Sequence, residues 1–287
     1  GDIRDYKSLS TFINEVDPDI IFHLAAQALV IKSYQDPKET FDTNVVGGIN
    51  LLEAVRHHHG LKALVFITSD KCYLNKEVAR GYTELDELGG YDPYSASKAA
   101  AELVFASYAK SYFAHRPSFG AASARAGNVI GGGDWSSDRI IPDCIRSLIA
   151  QVPIEVRNPD ATRPWQHVLD CLNGYLMLVD AVIQNKADGA WNFGPDESQS
   201  KTVADVANIA GTVWGVEKNW ENDLGNHPHE ASMLMLNSNK ARTDLGWSDK
   251  LSFEESVKWT INWYKNVNAG SDPLEETLKN IREFESK

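Results

Sequence analysis

The chain has 287 residues, 43% of them hydrophobic, and a formal net charge of −12. That apolar content can bury a sizeable core in one large or two smaller domains. An acidic chain of this kind offers no clustered Lys and Arg for a nucleic-acid groove or an anionic membrane surface, so a small molecule is the expected partner. Three scattered cysteines, Cys72, Cys144 and Cys171, form neither a disulfide framework nor a zinc motif; no metal is expected, and a reducing cytoplasm fits. No run approaches the roughly 18 apolar residues of a membrane span.

The first half alternates short apolar runs with longer amphipathic ones, the pattern of a parallel sheet covered on both faces. Asp19 to Leu24 and Ala63 to Ile67 read as buried parallel strands. Between them, Asp36-Pro37 supplies a cap and a first-turn proline, and Phe41, Val45, Ile49 and Leu52 recur at helical spacing. The same start signal, Asp92-Pro93, opens a helix from Tyr94 to about Phe113, and Phe119 to Ala124 can form the next strand. Gly131-Gly132-Gly133 and Arg157 to Pro164 are turn-rich, as substrate loops would be, with a helix from Pro142 to Ile149 between them. A helix from about Val168 to Asn185 and a strand from Ala190 to Phe193 return to the sheet. Ser252 and Glu255 form a capping box, and Asp272-Pro273 opens a last helix carrying Leu274, Leu278, Ile281 and Phe284, expected to pack on the smaller unit.

Tyr94 and Lys98 are four apart on a helix, so their side chains share a face. An ammonium near a phenol favours the phenolate, which would let Tyr94 take a proton at neutral pH. Tyr34 and Lys38 have the same spacing but lie on either side of the cap at Asp36. Thr68-Ser69-Asp70-Lys71 stands just past a buried strand, at the carboxyl edge where open α/β sheets bind ligands. Ser69 can hydrogen-bond a substrate hydroxyl, Asp70 can serve as an acid if burial raises its pKa, and Lys71 as a base if its pKa is lowered.

In order and spacing, several segments resemble the extended short-chain dehydrogenase/reductase family, and within it the CDP-glucose branch of the nucleotide-sugar 4,6-dehydratases. They are Gly1-Asp2-Ile3-Arg4-Asp5, His23-Leu24-Ala25-Ala26-Gln27, Thr43-Asn44-Val45, Thr68 to Lys71, Tyr94 with Lys98, Arg125 to Val129, Thr162 to Val168, and Lys240 to Trp247. The resemblance implies a Rossmann-like, doubly wound α/β fold with a smaller mixed α/β substrate-binding domain. The expected division assigns 1–127 and 166–195 to the cofactor side, and 128–165 with 196–287 to the nucleotide sugar. It implies NAD as cofactor, with Asp2 and Ile3 beside the adenine, Leu24, Ala25 and Ala26 lining the cleft, and Thr43, Thr68, Tyr94 and Lys98 also facing NAD. Asn128 and Arg163 are expected near the sugar diphosphate, where a guanidinium fork matches phosphate oxygens, and Glu230 near the nucleotide ribose. The implied reaction is dehydration of CDP-glucose to its 4-keto-6-deoxy product in deoxysugar biosynthesis, of the kind that feeds a lipopolysaccharide O-antigen, by a homodimer.

No G-x-x-G-x-x-G follows a strand, and Gly131 to Gly133, after the wrong strand, reads as a turn shaping the substrate loop. Because Gly1-Asp2 matches a point after the third strand of the folds the chain resembles, roughly sixty residues, about two βαβ-type crossovers, are expected before it. A 4-epimerase or a GDP-mannose dehydratase would share Tyr94 and Lys98, although an epimerase has no leaving hydroxyl for Asp70 to protonate. A non-catalytic nucleotide-sugar-binding protein is the remaining alternative.

Overall fold

The computed structural model describes all residues except 197–199, 217–219, 224 and 226–232. Helix α1 (Tyr6–Val16) begins where the Asp5 carboxylate accepts the Ser8 N–H at 3.1 Å. Strand β1 (Ile20–His23) follows, then α2 (Val30–Gln35), α3 (Pro37–Phe41) and α4 (Gly47–His57). Next come β2 (Ala63–Ile67), α5 (Pro93–Tyr108), β3 (Gly120–Ala126) and β4 (Val129–Ile130). Helix α6 (Ile140–Ala150) leads to the short strands β5 (Ile154–Val156), β6 (Thr162–Arg163) and β7 (Gln166–His167). Then follow α7 (Val168–Ile183), β8 (Gly189–Phe193), β9 (Lys201–Thr202), α8 (Val203–Trp214) and β10 (Trp220–Asn222). Helices α9 (Asn239–Asp244), α10 (Phe253–Asn268) and α11 (Pro273–Glu285) complete the chain.

The main sheet has the order β1-β2-β3-β8 with every pair parallel; Ile20 stands opposite Ala63, Ala63 opposite Gly120, and Ala122 opposite Gly189. Alternate residues of β2 serve different cores because side chains of a strand alternate faces. Leu64 and Phe66 pack with Leu51, Leu52, Val55 and Phe105 of α4 and α5. Ala63 and Val65 pack with Leu178 and Val182 of α7. Burial on both faces is why these strands read as unbroken apolar runs.

A separate core joins Ile145 and Leu148 of α6, Ile154 and Val156 of β5, Val206 and Ala210 of α8, and Val257 and Ile261 of α10. Trp263 of α10 closes it, and its indole N–H donates to Thr277 Oγ1 of α11 at 3.0 Å. Both predicted caps form here: Ser252 and Glu255 exchange hydrogen bonds, and Asp272 accepts from the N–H groups of Leu274 and Glu275. Ala241 and Trp247, grouped by sequence with the smaller unit, pack instead into the sheet-side core.

Two local departures take the same form. The expected single helix after Asp36 is broken by a π turn at Asp42–Val46, which rotates the buried face onto Asn44, Gly47, Gly48, Leu51 and Val55 and leaves Phe41 exposed. The helix bearing Tyr94 likewise passes into a π turn at Ala109–Phe113.

Candidate active site

Two elements bring the reactive groups together. Asp92 caps α5 by accepting the Ser95 N–H at 2.9 Å, and Pro93 fixes the first turn, so Tyr94 and Lys98 lie one turn apart and both are buried. At the end of β2 the chain turns sharply through Asp70–Cys72, where Ser69 Oγ accepts the Lys71 N–H at 3.2 Å and donates to Asp70 Oδ1 at 2.8 Å. The other Asp70 oxygen, Oδ2, is buried with no hydrogen-bond partner.

Burial pushes the Asp70 carboxyl above its usual range, against the opposing pull of Lys71, the Ser69 hydrogen bond and Arg163. Tyr94 behaves differently from the sequence expectation. Burial raises its phenol to about 12, and the groups that oppose this are Ser69 and Arg139, not Lys98. Lys98, with Nζ 5.8 Å from the Tyr94 ring centroid, is itself lowered to about 8 by burial. Desolvation thus outweighs the ammonium–phenol attraction that the four-residue spacing suggested. His23, at the end of β1, is lowered to about 4 by burial and then by Lys98.

A cavity of about 950 Å³ opens over this pair of elements. It collects Ser69, Asp70, Lys71, Tyr94, Asn128 and Arg163 from the predicted site. Arg163 Nη1 also donates to the Thr162 carbonyl at 2.9 Å. Among the lining residues, Arg157 and Asn158 belong to the stretch read as a substrate loop, whereas Arg139 and Glu155 were not singled out; Glu155 and Arg157, two apart on an extended segment, share a face, a period-2 signal that was available. Glu230 lies outside the described residues. Among the described residues no group of His, Cys, Asp and Glu could hold a metal ion, and no helix is long and apolar enough to cross a membrane.

Of the residues expected to face the cofactor, Tyr94 lines that cavity and the others lie off it. Asp2 is paired with Arg4 at 2.6 Å, and Ile3 packs against Gly47, where an added Cβ would meet Ile3 Cδ1 at 2.6 Å. Leu24, Ala25 and Ala26 follow β1, with Leu24 54% exposed. Thr43 sits in the π turn, next to Asn44, which accepts the Gln27 N–H at 2.8 Å and donates to Ser97 Oγ at 2.9 Å. The Lys98 ammonium is only 6% exposed and makes no hydrogen bond or ion pair with a described residue. A buried cation without an acceptor fits a ligand rich in hydroxyl oxygens, as the ribose of a dinucleotide is.

A parallel sheet wound on both sides, with buried Tyr94 and Lys98 facing a polar turn at its carboxyl edge, defines a Rossmann-type short-chain dehydrogenase/reductase. The chain belongs to the GDP-mannose 4,6 dehydratase family, whose model matches residues 1–260. It is 44% identical over 292 residues to the CDP-glucose 4,6-dehydratase of Salmonella typhimurium, covering 100% of this chain and 81% of that protein. In fold it resembles the UDP-glucose 4-epimerase of Thermotoga maritima, with TM-score 0.82 and 21% identity over 93% of this chain and 84% of that one. The dTDP-glucose 4,6-dehydratase of Bacillus anthracis, solved with NAD, gives TM-score 0.76 and 25% identity over 96% of this chain and 81% of that one.

Proposed function

We propose that the protein is an NAD-dependent hydro-lyase that converts CDP-glucose to CDP-4-keto-6-deoxyglucose, a step in deoxysugar biosynthesis. The observation that carries this reading is the buried carboxyl of Asp70, raised by burial and with one oxygen unpartnered, beside Tyr94. A dehydration needs a proton donor for its departing hydroxyl; a 4-epimerisation does not. The choice of CDP rests on the 44% identity to a CDP-glucose 4,6-dehydratase.

Asp2, Ile3, Leu24, Ala25, Ala26, Thr43, Thr68, Tyr94 and Lys98 would hold NAD. Bound there, NAD supplies a reversible hydride acceptor and the positive charge of its oxidised ring. Ser69 orients the sugar C4 oxygen, and Tyr94 Oη, as the phenolate that the Lys98 ammonium and the cationic ring of bound NAD would favour against burial, accepts the proton of the C4 hydroxyl as the ketone forms. Lys71, whose ammonium makes no hydrogen bond or ion pair with a described residue, in its neutral form accepts the proton at C5. Asp70 gives its proton to the C6 hydroxyl, which leaves as water; the hydride removed from C4 would then return to C6 while C5 regains a proton from Lys71, so that water is the net loss. Arg163 and Asn128 hold the diphosphate in an otherwise acidic chain; Glu230 is assigned to the nucleotide ribose.

The separate cores around β2–β3 and around α6, α8 and α10 support a cofactor unit over 1–127 and 166–195 and a substrate unit over 128–165 and 196–287, apart from Ala241 and Trp247, which pack with the cofactor unit. Exposed Val46 and Tyr112, in the π turns before α4 and after α5, and Leu103 of α5 support a homodimer. Three buried, unpaired thiols support a cytoplasmic location.

The test incubates the protein with NAD and separately with CDP-, dTDP- and UDP-glucose and GDP-mannose, followed by mass spectrometry. CDP-glucose alone should lose one water. If no sugar loses water although NAD is bound, the reading fails, and a product of unchanged mass but altered sugar would identify an epimerase.

A further inference from the structure

Behind the site lies a buried charge pair that the reaction does not touch. Arg125 Nη2 of β3 donates to Glu102 Oε2 of α5 at 2.7 Å, with the side chains 4% and 2% exposed. Glu102 also accepts from Thr68 Oγ1, the residue that precedes Ser69, and from Ser123 Oγ at 2.9 Å. The second Arg125 nitrogen donates to Tyr73 Oη at 2.8 Å, and Tyr73 donates to Asn192 Oδ1 of β8 at 2.7 Å. One carboxylate therefore joins the helix that carries Tyr94 and Lys98 to the end of the strand that carries Ser69 and Asp70. Apolar residues at these positions would pack without the desolvation cost of two buried charges, so the pair calls for an explanation other than stability.

We propose that Glu102 is a positioning residue: clamped by Thr68, Ser123 and Arg125, it fixes the Tyr94–Lys98 face of α5 against the Ser69–Asp70 end of β2 and sets its carboxylate one helical turn from Lys98. The inference rests on the catalytic reading of Tyr94 and Lys98. Glu102 is four residues after Lys98 and eight after Tyr94, on the same helical face. The groups facing Lys98 are Tyr94 and Glu102 on its own helix, Cys72 on the turn after β2, and His23 at the end of β1, with Arg125 beyond Glu102. Burial lowers Lys98, while Cys72 and Glu102 act in the opposite direction. Removing the Glu102 charge should therefore let Lys98 lose its proton at lower pH.

The test follows the Lys98 ammonium by NMR of the protein carrying carbon-13-labelled lysine, with the signal assigned from Lys98→Met. In Glu102→Gln the midpoint should fall by about one pH unit or more, whereas Glu102→Asp, which keeps the charge, should restore most of it. The high-pH limb of dehydration should move with the midpoint, lowering kcat more than it raises KM. If Glu102→Gln does not fold, the double variant Glu102→Gln/Arg125→Gln leaves no unpaired buried charge; because it also removes the cation beyond Glu102, its midpoint should fall in the same direction by less. An unchanged Lys98 midpoint in a folded variant lacking the Glu102 charge overturns the proposal. Because the titration needs no turnover, that outcome is separable from a failure of the proposed reaction.

Discussion

The Trp263 indole occupies the space where a side chain on Gly132 would begin: a Cβ built at Gly132 lies 2.1 Å from Trp263 Cδ2. The middle glycine of Gly131-Gly132-Gly133 thus serves close packing against α10, while Gly133, at φ +92°, makes the turn. Trp263 is 8% exposed in a filled core and cannot withdraw without opening it. Gly132→Ala should destabilise the protein by about 2 kcal/mol, read as a lower denaturation midpoint. An unchanged midpoint would mean that the ring moves freely.

Stability should depend on pH through two buried histidines. His23 and His167 are each lowered by burial from 6.5 to about 4. The unfolded chain then binds protons between those values that the folded chain refuses, so this stability is fully present above pH 6.5 and lost as pH falls toward 4. Each contributes on the order of 3 kcal/mol. Asp170 acts in the opposite direction: burial raises it from 3.8 to about 6, so its contribution is present below pH 3.8 and lost as pH rises through 6. His167 Nδ1 accepts the Leu169 N–H at 3.2 Å at the start of α7, a role that asparagine can keep. Urea midpoints at pH 4.5 and 7 should differ less for His167→Asn than for the parent chain.

Asp70→Asn removes the proposed proton donor while keeping its shape. Dehydration should fall by about 10² to 10⁴-fold, with CDP binding by calorimetry unchanged. Full retention of turnover would remove Asp70 from the mechanism.

Arg163 is the predicted anion ligand. Arg163→Gln should weaken CDP by about tenfold to a hundredfold, the equivalent of one or two charge-assisted hydrogen bonds. The loss should shrink for cytidine, which lacks the phosphates; an equal loss for both would assign Arg163 to the nucleoside.

What was legible in the sequence follows from range. Ala63 to Ile67 and the Asp92-Pro93 start are local signals, and the structure shows β2 and the head of α5 there. Helix α1 escaped notice although Asp5 and Ser8 carry its capping pattern. The π turn at Asp42–Val46 has no local marker, since it arises from fitting Gly47 and Gly48 beneath Ile3 and Phe66. Asp70 and Tyr94 stood out by their positions at a strand exit and a helix start. The dominance of burial over Lys98 did not, because desolvation depends on the whole fold. Glu102 and Arg125 were visible as charges among small and apolar neighbours, a pattern that signals a buried pair once the strand and helix are known to be adjacent.

Dehydration in heavy water tests the central claim most directly, because elimination with proton removal at C5 lets solvent hydrogen enter the sugar. With CDP-glucose and NAD, the product should have lost one water and gained one deuterium at C5, by mass spectrometry and NMR. A sugar of unchanged mass inverted at C4, or intact CDP-glucose beside bound NAD, would contradict it.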